Sequence, residues 1–512
     1  MVRAFRLAAA AICAAAFGLV PAATAVGANT PSGQAAKLRD AITVQGMQRH
    51  QQALQNIASA NGNTRASGTP GYQASVDYVV GQLRNAGYDP VVQPFDFAFF
   101  QELATPSFQR ISPNPRTFIA GADQEFSTMT YSGSGDVTAA TTHVTDLGGA
   151  PGPGCEAPDF AGFTAGNVAL IERGGCTFKI KATNAQAAGA GAVVIYNNIA
   201  GPLNGTLGSP GQNIPVVGTL QSIGQELASQ VALGLRLRVA TSTQSEIRVT
   251  YNVLADTRGG DPNHVVVQGS HLDSRLEGPG INDNGSGSSY NLESAIQVAK
   301  QNLRPRNTIR FAWWGAEELN LLGSTAYVQS LSDAEFGKIM LNLNHDMIAS
   351  PNFVRFVYDG DGSDTPTAGP AGSAEIEQVF LQWFASQGLA TAPTAFDGRS
   401  DYGPFIARGA PAGGLFTGAE GIKTDAQAAI FGGVPNLAFD PCYHQACDDV
   451  TNLNATAFDQ MSDGAATALA TFAFTKQPVT ETSPSSGSQR VSSATAAQRL
   501  AAATYLGSKA QR

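Results

Sequence analysis

Histidine and carboxylate side chains stand close together along one part of the chain, in positions suited to binding a metal ion. His271 follows an apolar run, Asp273 comes two residues later, and Asp283 lies downstream in a turn that opens a helix. Residues two apart in an extended chain share a face, so Asp273 can orient the His271 imidazole, as carboxylates do behind zinc-bound histidines. The two oxygens of Asp283 can bridge two cations. The segment therefore predicts a metal site.

Three further segments supply the same kinds of side chain. Glu317 and Glu318 follow a second apolar strand, Asp346 follows a third, and His444 lies in a short loop between two cysteines. Adjacent residues point in different directions, so one glutamate can bind metal while the other faces the substrate as a general base. Several such residues at the strand ends of one sheet favour a common catalytic centre.

The ligand types indicate the metal. Imidazole and carboxylate without thiolate suit zinc, with cobalt or manganese as alternatives. We expect two Zn²⁺ per chain, each bound by one histidine, one unshared carboxylate and one oxygen of Asp283, with a position left open for water. The remaining histidines are interpreted as structural: His50, His143 and His264, which have no such company, and His345, which should point away from its neighbour Asp346.

The elements that must position these residues alternate between strands and helices. Strands are predicted at His264–Gly269, Thr308–Trp314 and Lys338–Asn344, and helices at Tyr290–Gln301 and Leu322–Ser330. Such alternation is typical of an α/β fold, here a three-layer sandwich with a mixed, largely parallel sheet. Ligands in these folds bind beyond the carboxyl ends of the strands, where the candidate residues fall.

Residues 130–244 have a different composition, rich in Gly, Thr, Val and Ala. Short strands at Val168–Ile171 and Ala192–Tyr196 flank an alanine-rich helix at Lys179–Ala188. We interpret this region as a β-rich domain inserted into a catalytic domain formed by residues 29–129 and 245–476. Residues 477–512, rich in Ser, Thr, Ala and Gln, are predicted to be a low-complexity tail.

The amino terminus predicts export. Residues 1–28 combine Arg3 and Arg6, an apolar run and small residues at a cleavage site, which is the pattern of a signal peptide, so we expect a secreted protein without a membrane anchor. Four cysteines remain after its removal, and proximity favours the pairs Cys155–Cys176 and Cys442–Cys447 among three pairings. The formal net charge of −9 argues against a nucleic-acid partner.

These segments resemble the secreted di-zinc aminopeptidases of peptidase clan MH, of the bacterial leucyl aminopeptidase and aminopeptidase Y type. The likeness covers about residues 45–475 and includes the run Gly62–Gly71 and every ligand position. The inserted region resembles a protease-associated domain, through Cys155–Phe160, Val168–Phe178 and Ala187–Asn198. The resemblance implies the zinc exopeptidase fold and a monomeric metalloaminopeptidase that acts on peptides.

The resemblance also implies a role for each residue. It assigns His271, Asp283 and Asp346 to one zinc ion, and Asp283, Glu318 and His444 to the other. Glu317 is implied as the base, Asp273 as the orienter of His271, and Tyr443 as a donor to the developing oxyanion. Arg399 is expected near the cleft, and the segment containing Phe416 is expected to line an apolar pocket for large hydrophobic first residues.

Three alternatives share this scaffold. A glutamate carboxypeptidase would need a cluster of basic residues facing the substrate carboxylate, and only Arg399 offers itself. A single-zinc glutaminyl cyclase would not need five ligands. A catalytically inactive binding protein would have lost ligands or the base, whereas both histidines, all the carboxylates and Glu317 are present.

Overall fold

The structure is a computed structural model that describes residues 31–149 and 151–474. The predicted signal peptide (1–28) and tail (477–512) lie outside the described residues. The helices of the described part are α1 Pro31–Ala41, α2 Val44–Ala60, α3 Pro70–Asn85, α4 Phe178–Ala187, α5 Gln221–Gln230, α6 Gly285–Lys300, α7 Leu322–Ser330, α8 Asp333–Phe336, α9 Ser373–Ser386, α10 Gly403–Ala407, α11 Asp425–Phe431 and α12 Ala455–Phe474.

The strands of the same residues form one extended sheet. They are β1 Val91–Ser112, β2 Arg116–Thr117, β3 Phe126–Thr128, β4 Gly135–Val144, β5 Val168–Glu172, β6 Ala192–Tyr196, β7 Val216–Thr219, β8 Arg236–Asp256, β9 Asp261–His271, β10 Asn307–Trp314, β11 Ile339–His345, β12 Phe356–Tyr358, β13 Ala392–Thr394 and β14 Ala412–Phe416. Their order is β13-β12-β14-β11-β9-β10-β8-β4-β5-β6-β7-β3, with β1 and β2 beside β8.

The catalytic half of the sheet has parallel strands at its centre. Strand β9 runs parallel to both β10 and β11, and β11 runs parallel to β14, so their carboxyl ends meet at one edge. The pairing of β10 with β8 and of β12 with β14 is antiparallel. The predicted mixed, largely parallel sheet is therefore confirmed.

Alternate residues of these strands pack against helices on opposite faces of the sheet. Val266 and Trp313 belong to the core that includes residues of α2, α3, α6, α9 and α12. Val267 and Trp314, one residue later, belong to a second core with Tyr327 of α7. Strand β9 is buried from Val265 to His271, as expected of a parallel strand with helices on both faces of its sheet, and the three-layer sandwich is confirmed.

The inserted region has its own parallel strands β4, β5, β6 and β7. A long antiparallel pair of strands, β1 and β8, connects it to the catalytic part of the sheet, because β8 pairs with β4 near its start and with β10 near its end. The boundaries at residues 130 and 245 stay a prediction; the residue at 245 lies within β8.

One predicted helix begins earlier than expected. Helix α6 starts at Gly285 rather than Tyr290 because the Asn284 side chain caps it, accepting a hydrogen bond from the Gly287 amide at 2.9 Å. Residues 285–289 are glycine and serine, which have low helix propensity, and their sequence therefore resembles a turn. Across the described residues no helix is long and apolar enough to cross a bilayer.

Candidate metal centre and active site

The candidate ligands converge where the parallel strands end. His271 is the last residue of β9, Asp346 follows β11 directly, and Glu317 and Glu318 follow β10 in a single 3₁₀ turn. Asp283 immediately precedes the cap residue of α6. The fifth residue, His444, comes from the loop closed by the Cys442–Cys447 disulfide.

Two groups of three ligands share Asp283. In the first group, Nε2 of His271 lies 3.2 Å from Oδ1 of Asp283 and 3.2 Å from Oδ1 of Asp346. In the second, Nε2 of His444 lies 3.2 Å from Oδ2 of Asp283 and 3.1 Å from Oε2 of Glu318. The two oxygens of one carboxylate therefore face two different imidazoles, which is the arrangement predicted from the sequence.

These spacings fit zinc. Around a tetrahedral zinc ion with bonds of about 2.0–2.1 Å, neighbouring ligand atoms lie about 3.3 Å apart. Oε1 of Glu318 is also buried without a hydrogen-bond partner, so the lone pairs of this oxygen are available to a cation. Each group contributes one neutral nitrogen ligand and carboxylate oxygens, which is a donor set that zinc accepts.

Negative charge around the imidazoles favours a cation in both groups. Burial alone would lower the pKa of His444, but hydrogen bonds with Asp283 and Glu318 outweigh it and raise that pKa to about 10. Burial also opposes ionisation of Asp283, yet its contacts with His271 and His444 hold its pKa below the usual value. A bound metal ion would take the place of the proton that His444 otherwise shares with Asp283 and Glu318.

Glu317 stands beside this centre. Its Oε2 lies 3.8 Å from Nε2 of His271, and the side chain is buried. Burial raises the pKa of Glu317 well above its usual range, with further contributions from Asp346 and Asp401, while His271 opposes the shift. A raised pKa makes a carboxylate a stronger base, which suits a group that accepts a proton from water.

Asp273 contacts both His271 and the turn that contains Glu317. The nearest partner of Nδ1 of His271 is the Asp273 backbone oxygen at 3.1 Å, with the carboxylate oxygen Oδ1 at 3.6 Å. That same Oδ1 accepts a hydrogen bond from the Glu317 amide at 3.2 Å. The orientation of His271 therefore involves the backbone of Asp273 at least as much as its carboxylate.

The candidate substrate residues line one cleft beside the candidate ligands. Its apolar walls include Met347, Tyr358 and Phe416, and its polar lining includes Glu317, Asp346, Arg399 and Tyr443. Arg399 pairs with Glu420 at 2.7 Å and donates a hydrogen bond to the Tyr443 phenol oxygen at 3.1 Å. The ring of Tyr443 stacks on His444.

The histidines interpreted as structural have separate surroundings. His345 is fully buried between the rings of Tyr290 and Phe380, and burial lowers its pKa to about 3. His50 contacts Glu293, His143 contacts Tyr196, and His264 contacts Asp261.

Sequence reasoning missed two residues that hold the candidate ligands in place. Ser400 donates a hydrogen bond to Oδ2 of Asp346 at 2.6 Å and accepts one from Asn344. Asp448 accepts hydrogen bonds from the backbone amides of Asn282 and Asp283. The position of Asp448 directly after Cys447 was a signal for it, whereas nothing marked Ser400 apart from the rest of its loop.

Both disulfides form as proximity suggested, Cys155–Cys176 with Cα atoms 5.8 Å apart and Cys442–Cys447 with Cα atoms 5.3 Å apart. The short loop that the Cys442–Cys447 disulfide closes fixes the backbone on both sides of His444. The other disulfide lies in the inserted region.

The chain belongs to peptidase family M28. The model of that family matches residues 252–469, and the PA domain model matches residues 135–227. The predicted metallopeptidase with an inserted protease-associated domain is thereby confirmed.

Named relatives agree with this assignment. An aminopeptidase of Pseudomonas aeruginosa strain UCBPP-PA14 is 47% identical over 425 residues, covering 81% of this chain and 78% of the relative. Leucine aminopeptidase 2 of Trichophyton rubrum is 42% identical over 424 residues, covering 82% of each. Among solved structures, an aminopeptidase from Aneurinibacillus sp. strain AM-1 matches with a TM-score of 0.61 and 26% identity, covering 87% of this chain and 97% of that one.

Proposed function

We propose that the protein is a secreted zinc aminopeptidase that binds two zinc ions and releases large hydrophobic residues from the amino termini of peptides. The observation that carries the proposal is the pair of ligand groups joined through Asp283, with Glu317 beside them. The names of the relatives support the aminopeptidase class. The proposal includes a monomeric protein, because one chain supplies a complete set of five candidate ligands and needs none from a partner.

Each ligand has a role in this proposal. His271, Asp283 and Asp346 would hold one zinc ion, and Asp283, Glu318 and His444 the other. Zinc bound at such a site lowers the pKa of its water and polarises the scissile carbonyl. Asp273 and Ser400 orient His271 and Asp346, respectively, from behind.

The side chains around the cleft would complete the reaction. Glu317 takes a proton from the attacking water at its carboxylate as the new C–O bond forms, and it then gives that proton to the nitrogen of the leaving amine as the peptide C–N bond breaks. The Tyr443 hydroxyl donates a hydrogen bond to the oxygen of the former carbonyl as negative charge develops there.

Recognition of a free amino terminus requires negative charge close to the scissile bond. Glu317 and Asp346 both line the cleft and can face an ammonium group. Met347, Tyr358 and Phe416 offer apolar contact to the first side chain. Arg399 is already engaged with Glu420 and Tyr443, which argues against a carboxypeptidase that would need free cations for a terminal carboxylate.

Export is part of the same proposal. Two disulfides are expected in a protein that functions in an oxidising compartment, and they support the signal peptide predicted over residues 1–28.

The test combines metal content with substrate class. Purified protein should contain two zinc ions per chain and hydrolyse leucyl anilide but not N-acetyl-leucyl anilide. A chain that cleaves blocked substrates at an equal rate, or that releases carboxyl-terminal residues, contradicts an aminopeptidase. Activity with one zinc ion per chain contradicts the proposed pair.

A further inference from the structure

The loop between α2 and α3, residues 61–69, contains an arginine with an unusual environment. Arg65 is fully buried, and its guanidinium group binds backbone carbonyl oxygens. Nε donates to the oxygen of Pro279 at 2.8 Å, Nη2 to that of Gly280 at 2.6 Å, and Nη1 to that of Leu272. One rigid planar group therefore binds both ends of the segment Leu272–Gly280.

That segment connects two parts of the metal centre. Leu272 lies between His271 and Asp273, and Gly280 lies three residues before Asp283. Additional bonds hold the segment against the same loop: Arg65 donates its amide proton to Oγ of Ser274 at 2.9 Å, and Thr64 donates its hydroxyl to the Arg275 oxygen at 2.7 Å.

The loop also contacts the turn that carries Glu317. The Ser67 hydroxyl oxygen accepts a hydrogen bond from the Ala316 amide at 2.7 Å. Ala316 has a φ of 52°, in the left-handed region that non-glycine residues seldom adopt, and directly precedes Glu317. The bond to Ser67 helps to hold this conformation.

From these contacts we infer that Arg65 is a positioning residue for the metal centre: it fixes the backbone that places Asp273 and the shared ligand Asp283, while Ser67 of the same loop fixes the turn of Glu317. The inference rests on the proposed role of Asp283 as a metal ligand. It assigns a purpose to the motif Gly62–Gly71, which supplies no metal ligand or cleft residue.

The charge of Arg65 supports the inference. Burial lowers its pKa to about 10, so the guanidinium remains charged at neutral pH, and the carboxylates of Asp273, Asp448 and Asp283 favour that charged form. Lysine has one ammonium group on a flexible stem and cannot reproduce three bonds in a fixed plane. Arg65→Lys therefore keeps the charge and removes the geometry.

The first experiment measures zinc affinity by competition with a chelator on folded Arg65→Lys protein. We expect affinity to fall about 10- to 100-fold, as for other residues that orient metal ligands. The matched control is Arg110→Lys, another buried arginine, which binds the Asn114 oxygen and Glu226 of the inserted region and should leave zinc affinity unchanged. Equal zinc affinity in wild type and Arg65→Lys overturns the inference.

A second variant covers the case in which Arg65→Lys does not fold. Ser67→Ala removes the acceptor of the Ala316 amide and should lower kcat on leucyl anilide at least 10-fold, with KM and zinc content near wild type. An unchanged kcat overturns the inference for this loop. Because zinc affinity is measured without substrate, failure of the aminopeptidase proposal is distinguishable from failure of the positioning role.

Discussion

The guanidinium of Arg399 donates a hydrogen bond to the phenol oxygen of Tyr443 over 3.1 Å, while Glu420 holds the same guanidinium from the other side at 2.7 Å. A phenol oxygen that accepts a bond from Arg399 keeps its own proton free to donate elsewhere. Arg399 therefore has a second candidate role besides substrate contact, which is to orient the hydroxyl of Tyr443.

Replacing Tyr443 with Phe should lower kcat on leucyl anilide about 10²- to 10³-fold, the usual cost of losing a donor to a developing oxyanion. KM should change little, because the donor acts mainly on the transition state. Steady-state kinetics check this, with the exposed Arg258→Gln as a surface control. A wild-type kcat in Tyr443→Phe would restrict Tyr443 to packing against His444.

The Arg399→Gln variant separates the two roles of Arg399. If the arginine orients Tyr443, the variant loses kcat on leucyl anilide, which has no carboxylate for Arg399 to bind. If Arg399 recognises the substrate carboxylate instead, the variant should show a raised KM for leucyl dipeptides and unchanged kinetics on the anilide. Comparison of the anilide with a leucyl dipeptide decides between these outcomes.

Replacing Glu317 with Gln should reduce kcat by about 10²- to 10⁴-fold, because an amide cannot accept the proton of the attacking water. The zinc content should remain at two per chain, since Glu317 is not among the proposed ligands. Kinetics together with elemental analysis check both values. Glu277→Gln, an exposed glutamate nearby, is the control, and equal turnover in the two variants would remove Glu317 from the role of base.

Metal stoichiometry should depend on which ligand is removed. His444→Ala breaks one group and should leave about one tightly bound zinc ion, whereas Asp283→Ala breaks both groups and should leave less. Elemental analysis after dialysis against a weak chelator gives the numbers. His264→Gln, a partly exposed histidine paired with Asp261, should retain two zinc ions. Equal loss from the His444 and Asp283 variants would contradict a shared ligand.

The stability of the inserted region should depend on pH because of Lys181. Burial lowers its pKa from 10.5 to about 8, so between these values the unfolded chain binds more protons at this residue than the folded one. The free energy of unfolding attributable to Lys181 should therefore rise with pH over this window, by up to about 3 kcal/mol.

Lys181→Met provides the comparison. Denaturant unfolding of both proteins is measured from pH 7.5 to 10.5 with the disulfides intact. The free energy of unfolding of the wild type should increase relative to that of the variant as pH rises. Parallel curves would mean that Lys181 keeps an ordinary pKa in the folded protein.

The sequence sufficed to predict β9, β10 and β11, because each contains a short apolar stretch and is followed by polar residues, but it did not indicate the order of the strands in the sheet. His271 and Asp346 were therefore recognisable as strand-end residues. The pairing of Asp283 with two imidazoles was also predictable, because a carboxylate has two oxygens.

Residues that act through tertiary contacts were harder to predict. Ser400 is one hydroxyl among many, and its bond to Asp346 depends on how the loop after β13 folds across the end of β11. Arg65 lies more than two hundred positions from the carbonyl oxygens that it binds, and such oxygens have no signature in a sequence. The early start of α6 depends on the cap formed by Asn284, which overrides the low propensity of Gly and Ser.

The long antiparallel pair of β1 and β8 has a consequence for protein engineering. Excising residues 130–244 would remove the first part of β8 and leave the second half of β1, from Gln101 onward, without a partner, and Phe108 would lose most of its buried surroundings. A cut across the two strands where their pairing is irregular, between Glu102 and Ser107, which pair with Thr243 and Ala240, keeps the regular ladder from Val91 to Glu102 intact. A minimal catalytic unit should therefore retain the paired parts of β1 and β8 from Val91 to Glu102, joined by a new tight turn.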